Sequence, residues 1–328
     1  MEKQSTCESR FRESADGDRE FTHTEVVMTK SDPNDHRMCA GHVPAADTAN
    51  SPEDILHISE DVAWKKSTRS FLELCVLGIL AGAYIAFGSE FYTIVISDAA
   101  QYAGFGISRL LGGLCFGVGL VLVLLCGGAL FTGDSLMVAG LWKGRIRFRR
   151  IMWNWSVVWI MNFIGALLFV YLVIGSGTWK ATDMISAQNA ISLGAAKCAL
   201  PVSEAFLRGI GCNWLVCLAV WISWAAKGVM GKIMGILLPV ATFVALGFEH
   251  CVANMYFVPK ALLLKKTPAL GAYVAQIPPE VMTTFTWKGF WGHNLLPVTL
   301  GNVVGGVLFV GMAYFLAYRL DWRKGMHG

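Results

Sequence analysis

The sequence predicts an all-α membrane protein of six transmembrane helices, arranged as an inverted repeat of three plus three, with the second and fifth helices interrupted at mid-membrane. Three observations lead there. Of the 328 residues 55% are hydrophobic and only 15% charged, and the mean hydropathy is +0.51, too oily for a soluble globular chain. Six apolar runs reach the length of about 20 helical residues needed to cross a hydrocarbon core of about 30 Å. Two of those runs carry glycine and polar residues in their middle.

The first 61 residues stand apart. They hold 14 of the 23 acidic residues, interleaved with Ser, Thr, Pro and Asn and without apolar periodicity. Such a composition reads as a disordered tail. It contains no apolar run of the kind a secretory leader needs, so a cytosolic tail is expected. Residues 62–320 then form the transmembrane domain, followed by a short cytosolic C-terminal tail, 321–328.

The six runs lie near residues 71–96, 110–142, 151–174, 202–226, 233–264 and 295–318. The second and fifth exceed what one straight crossing needs. Their centres read CGGALFTGDS and ALGFEHCVAN, and both read as broken helices with Gly127, Gly128, Gly133 and Gly247 at the breaks. Basic residues set the orientation. The loop KGRIRFRR, the cluster Lys65, Lys66 and Arg69, and the C-terminal Arg319, Arg323 and Lys324 share one side if both termini are cytoplasmic. Lys260, Lys265 and Lys266 weaken the contrast.

A repeat supports the three-plus-three reading. NFIGALLFV from Asn162 and NVVGGVLFV from Asn302 agree at five of nine positions. Glu73, Gly78 and Ile79 of the first span match Glu204, Gly209 and Ile210 of the fourth, and Gly127 and Asp134 match Gly247 and Asn254. A three-helix unit repeated once reverses its direction through the membrane, and such repeats place a site between their broken helices near the midplane. Ionisable groups at that depth are functional by default. Glu249 and His250 sit there.

Several residues also have plain structural readings. Glu204 and Arg208 are four apart on one helix face and can pair. Asn162 and Asn302 suit helix packing and hydrogen bonding, Phe116 suits a core, and Glu249 suits capping or pairing inside the break. Lys197 falls in the loop before the fourth span. Nine scattered cysteines form no CxxC pair, and no phosphate loop, nucleophile elbow or dinucleotide fingerprint occurs. No enzymatic activity, cofactor, metal or nucleic-acid partner is expected.

The stretches CGGALFTGD, NWLVCLAVW, LPVATFVALGFEHCVANMY and LLPVTLGNVVGG resemble, in order, the signatures of the formate/nitrite transporter family, including its lactate- and formate-carrying eukaryotic members. That resemblance implies an aquaporin-like fold, a homopentamer in the plasma membrane with one pore per subunit, and passage of small monovalent anions such as formate, nitrite or lactate, often with a proton. It implies that His250 faces Thr132 across the pore, that Leu120, Phe131 and Phe243 form apolar constrictions, and that Lys197, Glu204, Asn213, Glu249 and Asn254 form a buried polar ring, Lys197 attracting anions. The chain departs from the family pattern at KCALPVSE, where many bacterial members carry a histidine pair, and at Gly133, where formate channels carry serine. Glycine there leaves room for a larger acid.

Magnitudes favour a neutral permeant. Moving a carboxylate-sized ion into a medium of dielectric about 4 costs on the order of 20 kcal/mol, and still several after relaxation. Protonating an acid of pKa about 4 at about pH 7 costs only about 4 kcal/mol. The acid is therefore expected to cross the constrictions as HA. Two alternatives remain at this level: a neutral-solute pore of the aquaporin kind, which needs Asn-Pro-Ala at each break where this chain has FTGD and FEHC, and a non-conducting membrane scaffold.

Overall fold

The computed structural model describes residues 49–320 and is all-helical. The tail expected over residues 1–61 lies outside the described residues as far as residue 48, as does the tail 321–328. From Pro52 onward the expectation of disorder is corrected: Pro52–Ser67 is a helix, α1. Its start is strongly encoded. Ser51 accepts from the Asp54 amide while the Asp54 carboxylate accepts from the Ser51 amide, a capping box, with Pro52 in the first turn and Lys65 and Lys66 in the last. What holds it is tertiary. Ile55 and Leu56 are buried in a cluster with Leu136, Ala139 and Val220, Arg145 bonds Asp61 at 2.6 Å, and Lys143 pairs with Glu60.

Among the described residues five helices are long and apolar enough to cross a membrane. They are α2 (Phe71–Val95); α3 (Ala99–Val121), prolonged by the wider-wound turn Leu122–Cys126; α6 (Phe148–Ser176); α8 (Val202–Ala225); and α11 (Trp287–Tyr318). Between α3 and α6 lie the short helices α4 (Phe131–Asp134) and α5 (Val138–Trp142). Before α8 lies α7 (Ile185–Ala199). Two shorter apolar helices, α9 (Val229–Ala245) and α10 (Cys251–Leu264), occupy the fifth predicted run. Large apolar side chains such as Leu72, Phe87, Leu168, Leu207 and Leu300 are exposed on these helices. Faces of that kind belong in hydrocarbon or against another subunit.

Glycine lets the long helices approach backbone to backbone, the packing mode of helices that gain nothing from excluding lipid. A methyl group on Gly165 would sit 2.0 Å from the Ile79 carbonyl oxygen, and one on Gly305 would sit 2.2 Å from the Ile210 carbonyl oxygen. These are the glycines of the two matched nonapeptides, meeting matched isoleucines. The three lysines that weakened the charge asymmetry include one that is no loop charge: Lys260 is buried in α10 and pairs with Glu90 of α2, which also accepts from the Tyr256 hydroxyl at 2.6 Å.

Candidate functional site at the helix interruptions

Helical geometry is lost at residues 127–130 and 246–250. Gly127 (φ 90°) and Gly247 (φ 73°) take up backbone angles that side chains disfavour. Gly128 packs against Ala81. Gly133 does not form the break, contrary to expectation: it lies within α4, because the chain regains helical geometry at Phe131.

An interrupted helix exposes amides and carbonyls that need partners away from water. One asparagine serves each break. The Asn162 amide donates to the carbonyls of Gly78 and Ala129, both at 2.8 Å, and its oxygen accepts from the Phe131 amide at 3.0 Å. Asn302 donates to the carbonyls of Gly209 at 2.8 Å and Glu249 at 3.0 Å, and accepts from the Cys251 amide at 2.9 Å. The two sets correspond atom for atom.

His250 caps α10, its Nδ1 accepting from the Ala253 amide at 3.1 Å. Its Nε2 lies 3.0 Å from the Thr132 hydroxyl oxygen. An imidazole whose Nδ1 accepts carries its proton on Nε2, so the ring is a neutral donor toward Thr132. Accepting a second proton at Nδ1 would break the cap. Phe243 stacks on the ring at 6.2 Å between centroids, and Phe116 meets it edge-on at 6.3 Å. Phe243 and Phe116 meet each other edge-on at 5.7 Å.

These three side chains line a cavity together with Lys197, Glu249, Asn254, Arg109 and Arg208. Lys197 is helical, in the last turn of α7, and its ammonium donates to both oxygens of Glu249, at 2.8 and 3.0 Å. Asn254 and Asn294 complete the arrangement. Asn254 donates to Glu249 and to the Asn294 oxygen, each at 2.7 Å, while Asn294 donates to the Lys197 carbonyl at 3.1 Å.

The segments around the first interruption hold a counterpart. Lys66, Asp134 and Asn154 stand at the positions that match Lys197, Asn254 and Asn294 under the offsets relating Gly78 to Gly209, Gly127 to Gly247 and Asn162 to Asn302. Lys66 bonds Asp134 at 2.6 Å. Ala129 occupies the position of Glu249, so in this half the carboxylate has moved to Asp134. Its second oxygen and both polar atoms of Asn154 are buried without a protein partner.

Most of the sequence-predicted residues meet. His250 and Thr132 touch; Phe243, Lys197, Glu249 and Asn254 line the cavity with His250. Asn213 is buried but serves the Thr132 side, donating to the Asn302 carbonyl at 2.6 Å and to the Thr132 carbonyl at 3.2 Å. Glu204 departs from the expected buried ring: its side chain is 50% exposed and paired with Arg208 at 2.8 Å, on the exposed side of the first turn of α8, whose other side buries Ala205. Leu120 and Phe131 are buried in the apolar core and do not line this cavity, Phe131 lying edge-on to Trp155 at 6.2 Å. Arg109 and Asn294 have no role in the sequence reading and Phe116 only a core one, although Arg109, Phe116 and Leu120 share one face of α3 by their spacing.

Buried polar groups gathered at two helix interruptions inside a multi-pass apolar bundle define a membrane transport protein. Residues 53–316 match the formate/nitrite transporter family, and the chain belongs to that family. It is similar to the uncharacterized transporter YrhG of Bacillus subtilis (strain 168), 38% identical over 274 residues that cover 83% of this chain and 95% of the relative. It is also similar to the formate channel FocA of Escherichia coli (strain K12), at 36% identity over 82% of this chain and 97% of that protein. Among solved structures, a pentameric formate channel with formate bound superposes with a TM-score of 0.66 at 34% identity, covering 79% of this chain and 99% of the other.

Proposed function

We propose that the protein passes small monocarboxylic acids, formate first among them, across the plasma membrane together with a proton, as a homopentamer with one pore per subunit and both termini cytoplasmic. In this reading the two halves are inverted copies crossing the membrane three times each, and the interruptions meet near its midplane. The matched hydrogen bonds of Asn162 and Asn302 support the inversion, and the relatives described as formate channels support the substrate.

The observation that carries the mechanism is the His250–Thr132 contact. The anion collects in the cavity on the Lys197 side, where cations and the N-terminal end of α10 lower its energy. It takes up a proton as water is left behind, since about 4 kcal/mol of protonation is cheaper than desolvating the ion. It then passes Phe243 and the Leu120 and Phe131 constrictions as HA, accepting a hydrogen bond from the Nε2–H of His250 or the Thr132 hydroxyl. His250 serves as a neutral donor, and the proton comes from water in the vestibule. Gly133 has no neighbour closer than Val220 at 3.8 Å to a methyl placed on it, which supports admitting an acid as large as lactate.

Proteoliposomes carrying labelled formate or L-lactate test this. Wild-type uptake is expected to rise as external pH falls. His250→Phe, which keeps the bulk and removes the donor, abolishes it, whereas His250→Asn, which keeps a cap and a donor, retains pH-dependent uptake. Equal uptake at acidic and neutral pH, or an unaffected His250→Phe, returns His250 to a structural role and favours a neutral-solute pore.

A further inference from the structure

Three cations line the cavity that leads to His250, and they are not equivalent. Lys197 is bonded to both oxygens of Glu249, and Arg208 is bonded to Glu204. Arg109 has no carboxylate within ion-pair distance among the described residues. Its one hydrogen bond, from Nη1 to the Tyr92 hydroxyl, is long at 3.4 Å, and its Nε is buried without an acceptor. The guanidinium carbon lies 5.3 Å from the centre of the Phe105 ring, and Nη2 is 3.5 Å from where a methyl on Gly247 would sit. Ring and break thus hold the group at the cavity wall with donors unused.

Building on the transport reading above, we propose that Arg109 is the docking residue for the carboxylate of the permeant acid in this vestibule, one step before the acid reaches Phe243 and the Phe116 ring that meets it edge-on. Chemistry and position agree. A guanidinium fork matches a carboxylate with two parallel hydrogen bonds, which a lysine already shared with a glutamate cannot offer. Arg109 stands on the same α3 face as Phe116, seven residues earlier, so an acid released from it meets the phenylalanine pair next. A charged group serving only the C-terminal end of α9 would stabilise the fold without affecting how strongly the permeant is held.

The test is the concentration dependence of labelled formate uptake into proteoliposomes for wild type, Arg109→Gln and Arg109→Lys. The docking role raises KM by about five-fold or more in Arg109→Gln, leaves the maximal rate within about two-fold, and restores KM only in part in Arg109→Lys, which keeps the charge and loses the fork. If Arg109→Gln does not assemble, Arg109→Cys labelled after reconstitution with cationic, neutral or anionic methanethiosulfonates, against equally treated wild type, restores or removes the charge on folded protein. KM lowered by the cationic label alone supports docking. An unchanged KM in Arg109→Gln, or the same KM with all three labels, overturns it. Wild type that takes up no formate at any concentration overturns the transport reading itself.

Discussion

Asn302→Leu substitutes an apolar side chain of nearly the same shape and removes the three hydrogen bonds by which Asn302 ties the second helix break to its neighbours. Three bonds go at once: from Asn302 to the Gly209 and Glu249 carbonyls, at 2.8 and 3.0 Å, and from the Cys251 amide to Asn302, at 2.9 Å. Side-chain hydrogen bonds between membrane helices average about 0.6 kcal/mol each, and a buried backbone group left without a partner costs about 1 kcal/mol or more. Three such groups together give a loss of about 2 to 3 kcal/mol. Asn162→Leu severs the matching three bonds and carries the same expected loss. Equilibrium unfolding in mixed micelles, followed by helical circular dichroism for wild type and both variants, measures it. A loss below about 0.5 kcal/mol, or a large loss for one asparagine and none for the other, would refute the claim that each break is held by its own asparagine.

Gly301→Ala places a methyl 2.1 Å from the Phe206 carbonyl oxygen. α8 and α11 must separate, at a cost of about 1–3 kcal/mol, and the variant is expected to lose its native size-exclusion peak at lower temperature than wild type. Lys197→Met strands the Glu249 carboxylate, whose side chain is only 7% exposed. A double-mutant cycle with Glu249→Gln should give a coupling of about 2 kcal/mol, and additive effects would dissolve the pair. At the α1 docking contact, the hydrogen bond from Arg145 holds the Asp61 carboxyl below its ordinary value of 3.8. The contribution of this pair is therefore present above the unfolded-state value and is lost as pH falls through the lower folded-state one. Fluorescence of Trp64, 48% exposed on α1, should show Arg145→Ala releasing α1 more readily than wild type near neutrality, with the difference closing in acid.

How much of the site was legible depended on how each residue's signal travels along the chain. Gly127 and Gly247 could be found because a glycine amid an apolar run marks a backbone need that is local. His250 and Glu249 could be found because polar groups at membrane depth stand out against their neighbours, whereas Thr132 was pointed to by the family resemblance alone. Phe116 could not be separated from a core phenylalanine, since its role comes from meeting Phe243 and His250 on other helices. Glu204, which the family resemblance put in a buried ring, is instead half-exposed and paired with Arg208, because its exposure depends on how the first turn of α8 packs against its neighbours.

The apolar composition, the run lengths, the two interruptions and the matched Asn-x-x-Gly positions follow from sequence alone, because each is a property of a short segment or of a spacing along one helix. Tertiary structure decided what those groups do to one another. α1 is ordered by burial of Ile55 and Leu56 and by ion pairs to a loop some eighty residues away, contacts that no local pattern encodes. The lysine expected to attract anions is shared with Glu249, while Arg109, an arginine with no assigned role, has no carboxylate within ion-pair distance among the described residues. Which cation in a vestibule is free depends on which acidic residues lie within about 4 Å of it, and that distance exists only once the helices have packed.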